Sequence, residues 1–293
     1  MGIISNLKKL RKPQNEGANG QAKLNGKANG TEGEMTFLEH LEELRWHLIR
    51  SLASILVFGI GIFVNINWIF TNVIYAPFKK EFFTHEILCQ LREALCFEKL
   101  PVEIIALGPY EQFLKSITIS FIAGFIISFP YFIWEMWRFI KPGLKASERK
   151  GVRGNVFIIS ILFFIGVAFS YYVILPFAIQ FLSTYQLGAE ITNQWKVGLV
   201  VGMVTQITLA GGILFEMPII VYYLSKMGIL TPEFMKKYQR HAIVIMLVLA
   251  AIITPPDVVS QVLIFFPLLL LYKISIRICT WVTTKEAKKL EDI

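Results

Sequence analysis

The amino-acid sequence predicts an all-α polytopic membrane protein with six transmembrane helices, and three observations carry the prediction. Hydrophobic residues make up 55% of the 293 residues and charged residues only 17%, an apolar share well above that of ordinary soluble domains. The apolar residues fall into six runs without the two-residue alternation that a lipid-facing barrel strand requires. Lys and Arg crowd alternate connections between the runs, the pattern that sets membrane orientation.

Residues 1–34 are basic and then rich in Gly, Asn, Lys and Gln. Such a stretch cannot bury enough apolar surface to fold and lacks the build of a cleavable signal peptide, so a disordered cytoplasmic tail is expected. Thr36 and Glu39 fit a capping box, and a helix should open there. Leu38, Leu41, Leu44 and Leu48 form its apolar stripe. The runs at 51–70, 113–134, 155–182 and 197–224 are long enough, at ~20 residues or nearly so, to cross ~30 Å of hydrocarbon. The last two, 241–253 and 258–272, reach only ~20 and ~22 Å at ~1.5 Å per residue. Two short C-terminal spans are therefore expected, with the surrounding membrane thinned, shielded or wetted. Pro130, Pro176, Pro218 and Pro267 should bend four spans and give a concave, kinked bundle. Pro255 and Pro256 suit the turn between the short spans, and Asp257 suits the first turn of the sixth as a cap. The expected membrane domain is 35–278, followed by a cytoplasmic tail over 279–293.

Orientation follows from charge. Arg138, Lys141, Lys145, Arg149, Lys150 and Arg153 lie between the second and third runs, and Lys226, Lys236, Lys237 and Arg240 between the fourth and fifth. The C-terminal segment is basic as well, whereas the opposite side carries only five basic residues, Lys79, Lys80, Arg92, Lys99 and Lys196. Both termini are thus expected in the cytoplasm. The net charge of +8 is then an orientation signal, and no groove-reading motif argues for nucleic acid. His40, His47, His85 and His241 are scattered without a His-Glu-x-x-His pair, and neither a Gly-x-Ser-x-Gly elbow nor a phosphate-binding loop is present. No enzymatic activity, metal or cofactor is expected. Cys89 and Cys96 fall in the long external loop, where an oxidising compartment permits a disulfide. A continuous helix over 87–97 would hold them ~10 Å apart along its axis, too far to bond.

Acidic residues stand out against the basic side. Glu39, Glu42 and Glu43 crowd one stretch before the first run. Glu39 and Glu43 are like charges one turn apart, which costs a few tenths of a kcal/mol. The helix dipole accounts for Glu39; three carboxylates together fit a cationic ligand, since a guanidinium binds a carboxylate through two parallel hydrogen bonds. Glu148 lies in the next connection on the same side, where a local pair with Arg149 or Lys150 is the alternative. Glu216 sits well inside the fourth run, where an ionised carboxylate costs roughly 2.5–3.5 kcal/mol. Thr205 lies three turns back on nearly the same face, so a polar stripe facing outward from the bundle, toward a partner or water, is expected; an internally hydrogen-bonded Glu216 is the alternative.

Ordered motifs then carry a family resemblance. His40-Leu41-Glu42-Glu43-Leu44-Arg45, Gly108-Pro109-Tyr110-Glu111-Gln112-Phe113, Phe129-Pro130, the stretch from Trp134-Glu135-Met136-Trp137-Arg138-Phe139 through Ile140-Lys141-Pro142-Gly143-Leu144 to Glu148-Arg149-Lys150, Phe215-Glu216-Met217-Pro218, Leu230-Thr231-Pro232-Glu233 and Thr254-Pro255-Pro256-Asp257 together resemble the TatC family, over about Met35 to Ile278. The resemblance implies the core subunit of a twin-arginine protein translocase in a bacterial-type inner membrane. It would receive twin-arginine signal peptides of folded cargo and work with single-span TatA/TatB-type subunits, driven by the proton motive force. It marks Glu43, Glu148, Arg45 and Phe139 for signal-peptide binding, Glu216 for an intramembrane role, and Pro77, Pro142 and Asp257 as motif positions. Lys145, Glu135, Gln239 and Lys273 depart from the family's usual residues. A proton-coupled transporter of a small solute is the alternative reading, to which broken helices and an intramembrane charge also belong.

Overall fold

The structure, a computed structural model, describes residues 37–91, 102–140, 152–186, 188, 193–254 and 257–291. The chain divides into two units, Met1–His40 and Leu41–Ile293. Glu148, Pro142 and Cys96 lie outside the described residues, as does the whole of the expected N-terminal tail.

Helix α1 runs Phe37–Val64, opening where the Thr36 cap predicts. A short helix α2 (Ile66–Ile69), a π turn (Phe70–Ile74) and a 3-10 turn (Ala76–Phe78) follow, then α3 (Phe83–Leu91) and strand β1 (Glu103–Ile105). Helix α4 spans Glu111–Ile140. The third crossing is α5 (Val152–Phe169) continued through a π turn into α6 (Leu175–Thr184). Strand β2 (Gln194–Lys196) leads into α7 (Val197–Phe215) and α8 (Met217–Lys226), then α9 (Pro232–Lys237), α10 (Gln239–Ile253) and α11 (Val258–Glu291). Five segments are long and apolar enough to cross a membrane, and α10 is a shorter sixth. The chain is a multi-pass helical membrane protein. Alternation places the starts of α1 and α5 and the ends of α4, α8 and α11 at a first end. The two strands and the turn between α10 and α11 lie at a second end.

The four prolines act in two ways. Pro130 and Pro267 lie inside continuous helices. Pro176 follows the π turn Ser170–Ile174, and Pro218 follows a break at Glu216, whose amide bonds back to Ile213 in a tighter turn. Each lost proline N–H leaves the helix free to rewind locally.

One expectation at the C-terminal end needs correction. Only the fifth span is short: α10 has 15 residues, ~22 Å at ~1.5 Å each. Helix α11 has 34 residues and carries straight through the end expected at residue 272. Lys273 and Arg277, which suggested a boundary, are not buried and simply continue the helix, as long basic side chains can by extending to water. The tail expected from residue 279 is likewise helical to Glu291, with Cys279 fully buried and Val282 nearly so. Near the end of α10, Gln261 Nε2 donates to the Leu247 carbonyl at 3.0 Å and Gln206 Nε2 to the Ile252 carbonyl at 2.9 Å.

Small residues let the helices approach closely, as membrane helices require. Gly124 of α4 meets α1 so tightly that a Cβ there would lie 2.8 Å from the Ile55 carbonyl oxygen and from the Gly59 nitrogen. Because the obstacle is backbone, it cannot rotate away. Gly124→Val should destabilise the fold by about 3 kcal/mol, read as a lower thermal midpoint of the detergent-solubilised protein; an unchanged midpoint would rule out this crossing. Packing elsewhere is aromatic and aliphatic. The Phe129 and Phe163 rings stack at 3.6 Å between α4 and α5, and a second cluster built around Leu175, Ile179, Val200 and Leu268 joins α6, α7 and α11.

A feature the sequence did not announce sits at the second end. Strands β1 and β2 pair in parallel, Glu103 with Gln194, Ile104 with Trp195 and Ile105 with Lys196. Glu111, opening α4, completes the junction: one carboxylate oxygen accepts the Leu107 amide and the other the Gly198 amide, both at 3.0 Å. That second bond reaches the first turn of α7. Pro77 is buried in the turn between α1 and α3, and Phe78 beside it meets Trp195 edge-on at 5.9 Å. Tyr171 donates to the Val73 carbonyl at 2.7 Å. Burial holds the His85 imidazole below its ordinary pKa, partly offset by its contact with the Lys79 carbonyl. Cys89 is disulfide-bonded. The distance argument against such a bond assumed a helix through residue 97, whereas the described part of α3 ends at Leu91.

Candidate functional site

Helix α1 presents its acidic residues at the first end. Glu42, Glu43 and Arg45 are all exposed, and among the described residues no basic side chain pairs with Glu43. One turn further along α1, His47 behaves differently. Its Nδ1 lies 2.5 Å from Glu135 Oε2 of α4. Glu135 is only 2% exposed. Its other oxygen faces Arg138 Nη1 at 3.6 Å, and the Tyr131 hydroxyl of the same helix acts on it as well. Two acids near the same end thus differ: Glu43 has no cationic partner among the described residues, and Glu135 is engaged.

The helix directions fix what lies above this pair. Helix α1 enters from the first end and α4 leaves toward it. One turn from His47 toward that end is Glu43, and one turn from Glu135 in the same direction is Phe139. Glu43 and Phe139 therefore stand at one level on neighbouring helices. The Phe139 ring lies 6.4 Å from the His47 ring, half-buried above the pair. Of the sequence-predicted site, Glu43 and Arg45 lie on α1 and Phe139 near the end of α4, and the ring contact between the two helices here is that of Phe139 with His47. Glu148 and Pro142, the other candidates at this end, fall outside the described residues.

Glu216 belongs to a separate place. It is 8% exposed at the α7–α8 break, and both carboxylate oxygens are buried with no hydrogen-bond partner among the described residues. The outward-facing polar stripe expected on this span is not observed. Thr205 is buried too, its hydroxyl donating to the Val201 carbonyl of its own helix at 2.6 Å. Ten residues of α7 are buried, so this helix lies within the bundle on most of its circumference, with Thr205 and Thr208 turned inward and Gln206 exposed. An unsatisfied carboxylate in such a place costs about 1–3 kcal/mol even when neutral, and more when charged. Asp257 performs the capping role: its Oδ1 accepts the Ser260 amide at 2.7 Å. Thr231 likewise caps α9 by accepting the Phe234 amide at 3.3 Å. No group of three or more His, Cys, Asp or Glu able to hold a metal ion occurs among the described residues.

Sequence reasoning noted Glu135 only as a departure and did not connect it with His47. The available signal was an acid at the end of one apolar run and a histidine just before another. Two buried ionisable groups need partners, and here they are each other's.

Comparison with known proteins places this architecture. The sequence model of the family described as Sec-independent protein translocase protein (TatC) matches residues 39–267. The TatC protein of Blattabacterium is 36% identical over 260 residues, covering 86% of this chain and 98% of its own. That of Helicobacter pylori strain 26695 is 38% identical over 244 residues, covering 83% and 87%, and that of Aquifex aeolicus 35% identical over 253 residues, covering 86% and 98%. A crystal structure of the twin-arginine translocase receptor TatC superposes with a TM-score of 0.68 at 35% identity, covering 84% of this chain and all of that one.

Proposed function

The chain belongs to the TatC family of Sec-independent protein translocase proteins, and from that premise we propose that it is the subunit that receives twin-arginine signal peptides at its first end. The observation that carries the reading is Glu43: an exposed carboxylate with no described cationic partner, level with Phe139, on the side of the membrane richest in Lys and Arg. A free anion among cations is a vacancy for a guanidinium, which binds it in two-point fashion. Arg45 beside it favours an approach from one side only, and the Phe139 ring offers an apolar face against which the planar guanidinium stacks. Glu148 supplies the second carboxylate for the second arginine.

The first end then faces the cytoplasm of a bacterial-type inner membrane, with both termini on that side. Single-span TatA/TatB-type subunits complete the translocase, and the proton motive force drives it. Glu216 fits a place where a polar group of such a subunit, or water, enters the bundle. The reading is tested by placing a photo-crosslinking residue at Glu42 or at Ile140, both exposed beside the site, and adding a twin-arginine signal peptide to membranes. Crosslinks at both positions, lost when the two arginines are replaced by alanine, are the expected result. Crosslinks that ignore the arginines, or appear only on α11, would overturn it.

A further inference from the structure

Most of α1 has little to hold it. Trp46, Leu48, Ile49, Leu52, Leu56 and Val57 are all exposed, so the helix lies at the edge of the bundle. Besides an edge-on contact of Phe63 with Phe113 near its far end, its attachment to α4 rests on two features at different heights. One is the close crossing at Gly59 and Gly124. The other, some three turns nearer the first end, is His47–Glu135, the one ion pair between different helices among the described residues. Glu43 is the next turn beyond it.

We propose that His47 and Glu135 are a positioning pair that fixes the height and rotation of Glu43 against Phe139 and so sets the strength of signal-peptide binding. The inference rests on the signal-peptide reading of Glu43. Its physical basis is the cost of an unpaired buried charge. Glu135 is enclosed, and the groups that face it are His47 from α1 and Tyr131 and Arg138 from its own helix. Arg50 of α1 lies close enough to act on Tyr131 electrostatically. The contact from Arg138 is long at 3.6 Å and that side chain is half-exposed, so it does not replace His47. A rotation or one-residue slip of α1 would leave the Glu135 carboxylate without its short bond, and such a loss is large in a low-dielectric interior. The pair therefore resists the motions that would move Glu43 out of level with Phe139. It also keeps the second acid occupied, so that the described carboxylates open to an incoming arginine here are the exposed ones of α1, Glu42 and Glu43.

The test uses the full-length protein in nanodiscs and a fluorescent twin-arginine peptide, with a twin-lysine peptide as control. A second readout is the distance between spin labels at Trp46 and Ile140, both exposed. Glu135→Ala and His47→Ala should each weaken binding about 10-fold or more and broaden the distance distribution. The double variant should bind no more weakly than the weaker single, because both remove one shared interaction. Glu135→Gln, which can still accept from His47, should recover most of the affinity and the narrow distribution. A role in general stability alone would follow the thermal midpoint rather than the distance. Should an alanine variant fail to fold, His47→Phe keeps the ring volume without the donor and should give the same losses. Alanine variants that bind like the unaltered protein, additive losses, or a Glu135→Gln variant as weak as Glu135→Ala would each overturn the proposal. Glu43→Ala separates the two ideas: binding that survives it ends the signal-peptide reading itself, while the spin-label distances still judge the pair.

Discussion

Glu43→Lys should reduce twin-arginine peptide affinity by about 100-fold, and Glu43→Ala by about 10-fold, with membrane insertion and thermal midpoint unchanged. The two magnitudes have separate origins. Glu43 is exposed in the free protein, and an exposed ion pair alone contributes little, ~0–1 kcal/mol. Its worth rises when the peptide covers it and the bond becomes bidentate, giving roughly 1–2 kcal/mol, which alanine forfeits. Lysine forfeits the same bond and adds like-charge repulsion against the arriving arginines, on a side where Lys and Arg already dominate. Stability should hold because Glu43 has no described intramolecular partner to lose. The measurement is peptide binding to the purified protein, with a twin-lysine peptide as the specificity control. Equal affinity in all three proteins would remove Glu43 from the site.

Glu216→Leu should raise thermal stability and at the same time cut transport of a twin-arginine cargo by at least about 10-fold. Removing a buried polar group with unmet hydrogen bonds relieves about 1–3 kcal/mol, and among the described residues both Glu216 oxygens are in that condition. Leucine fills similar volume at a break already formed by Pro218, so the helix path is preserved. A residue that weakens the fold yet persists in an interior position is expected where function needs it. Glu216→Gln should fall between, since it keeps hydrogen-bonding capacity without charge. The paired readouts are the thermal midpoint in detergent and cargo transport in membrane vesicles. A stabilised variant that transports normally would make Glu216 a packing defect rather than a working group; a destabilised one would mean that its carboxylate is satisfied.

Much of this was legible in the sequence because membrane helices announce themselves by length and composition. The start of α1 followed from Thr36 and Glu39, and the shortness of α10 followed from Thr254 and two prolines. The true length of α11 did not, because Lys273 and Arg277 look like a boundary in one dimension yet are no obstacle to a helix that leaves the bilayer. The burial of Glu216 was misread for a related reason. Span four is apolar all round, so its periodicity carries no information about which face is inside. The β1–β2 pairing depends on register between segments 91 residues apart, as Glu103 and Gln194 illustrate, and three-residue strands leave no pattern. The expectation for Glu43 came from charge alone. The engaged state of Glu135 required knowing that α1 and α4 touch.

The junction at Glu111 has a mechanical consequence. One carboxylate grips amides at the entrance to α4 and at the first turn of α7, and the paired strands immediately upstream tie the same two helices together. At that end they are bound like leaves at the spine of a book. Any parting between α4 and α7 must begin at the opposite edge and narrow toward the spine, so a segment pushed between them would meet a wedge-shaped gap, widest where it enters and closed where it would have to leave.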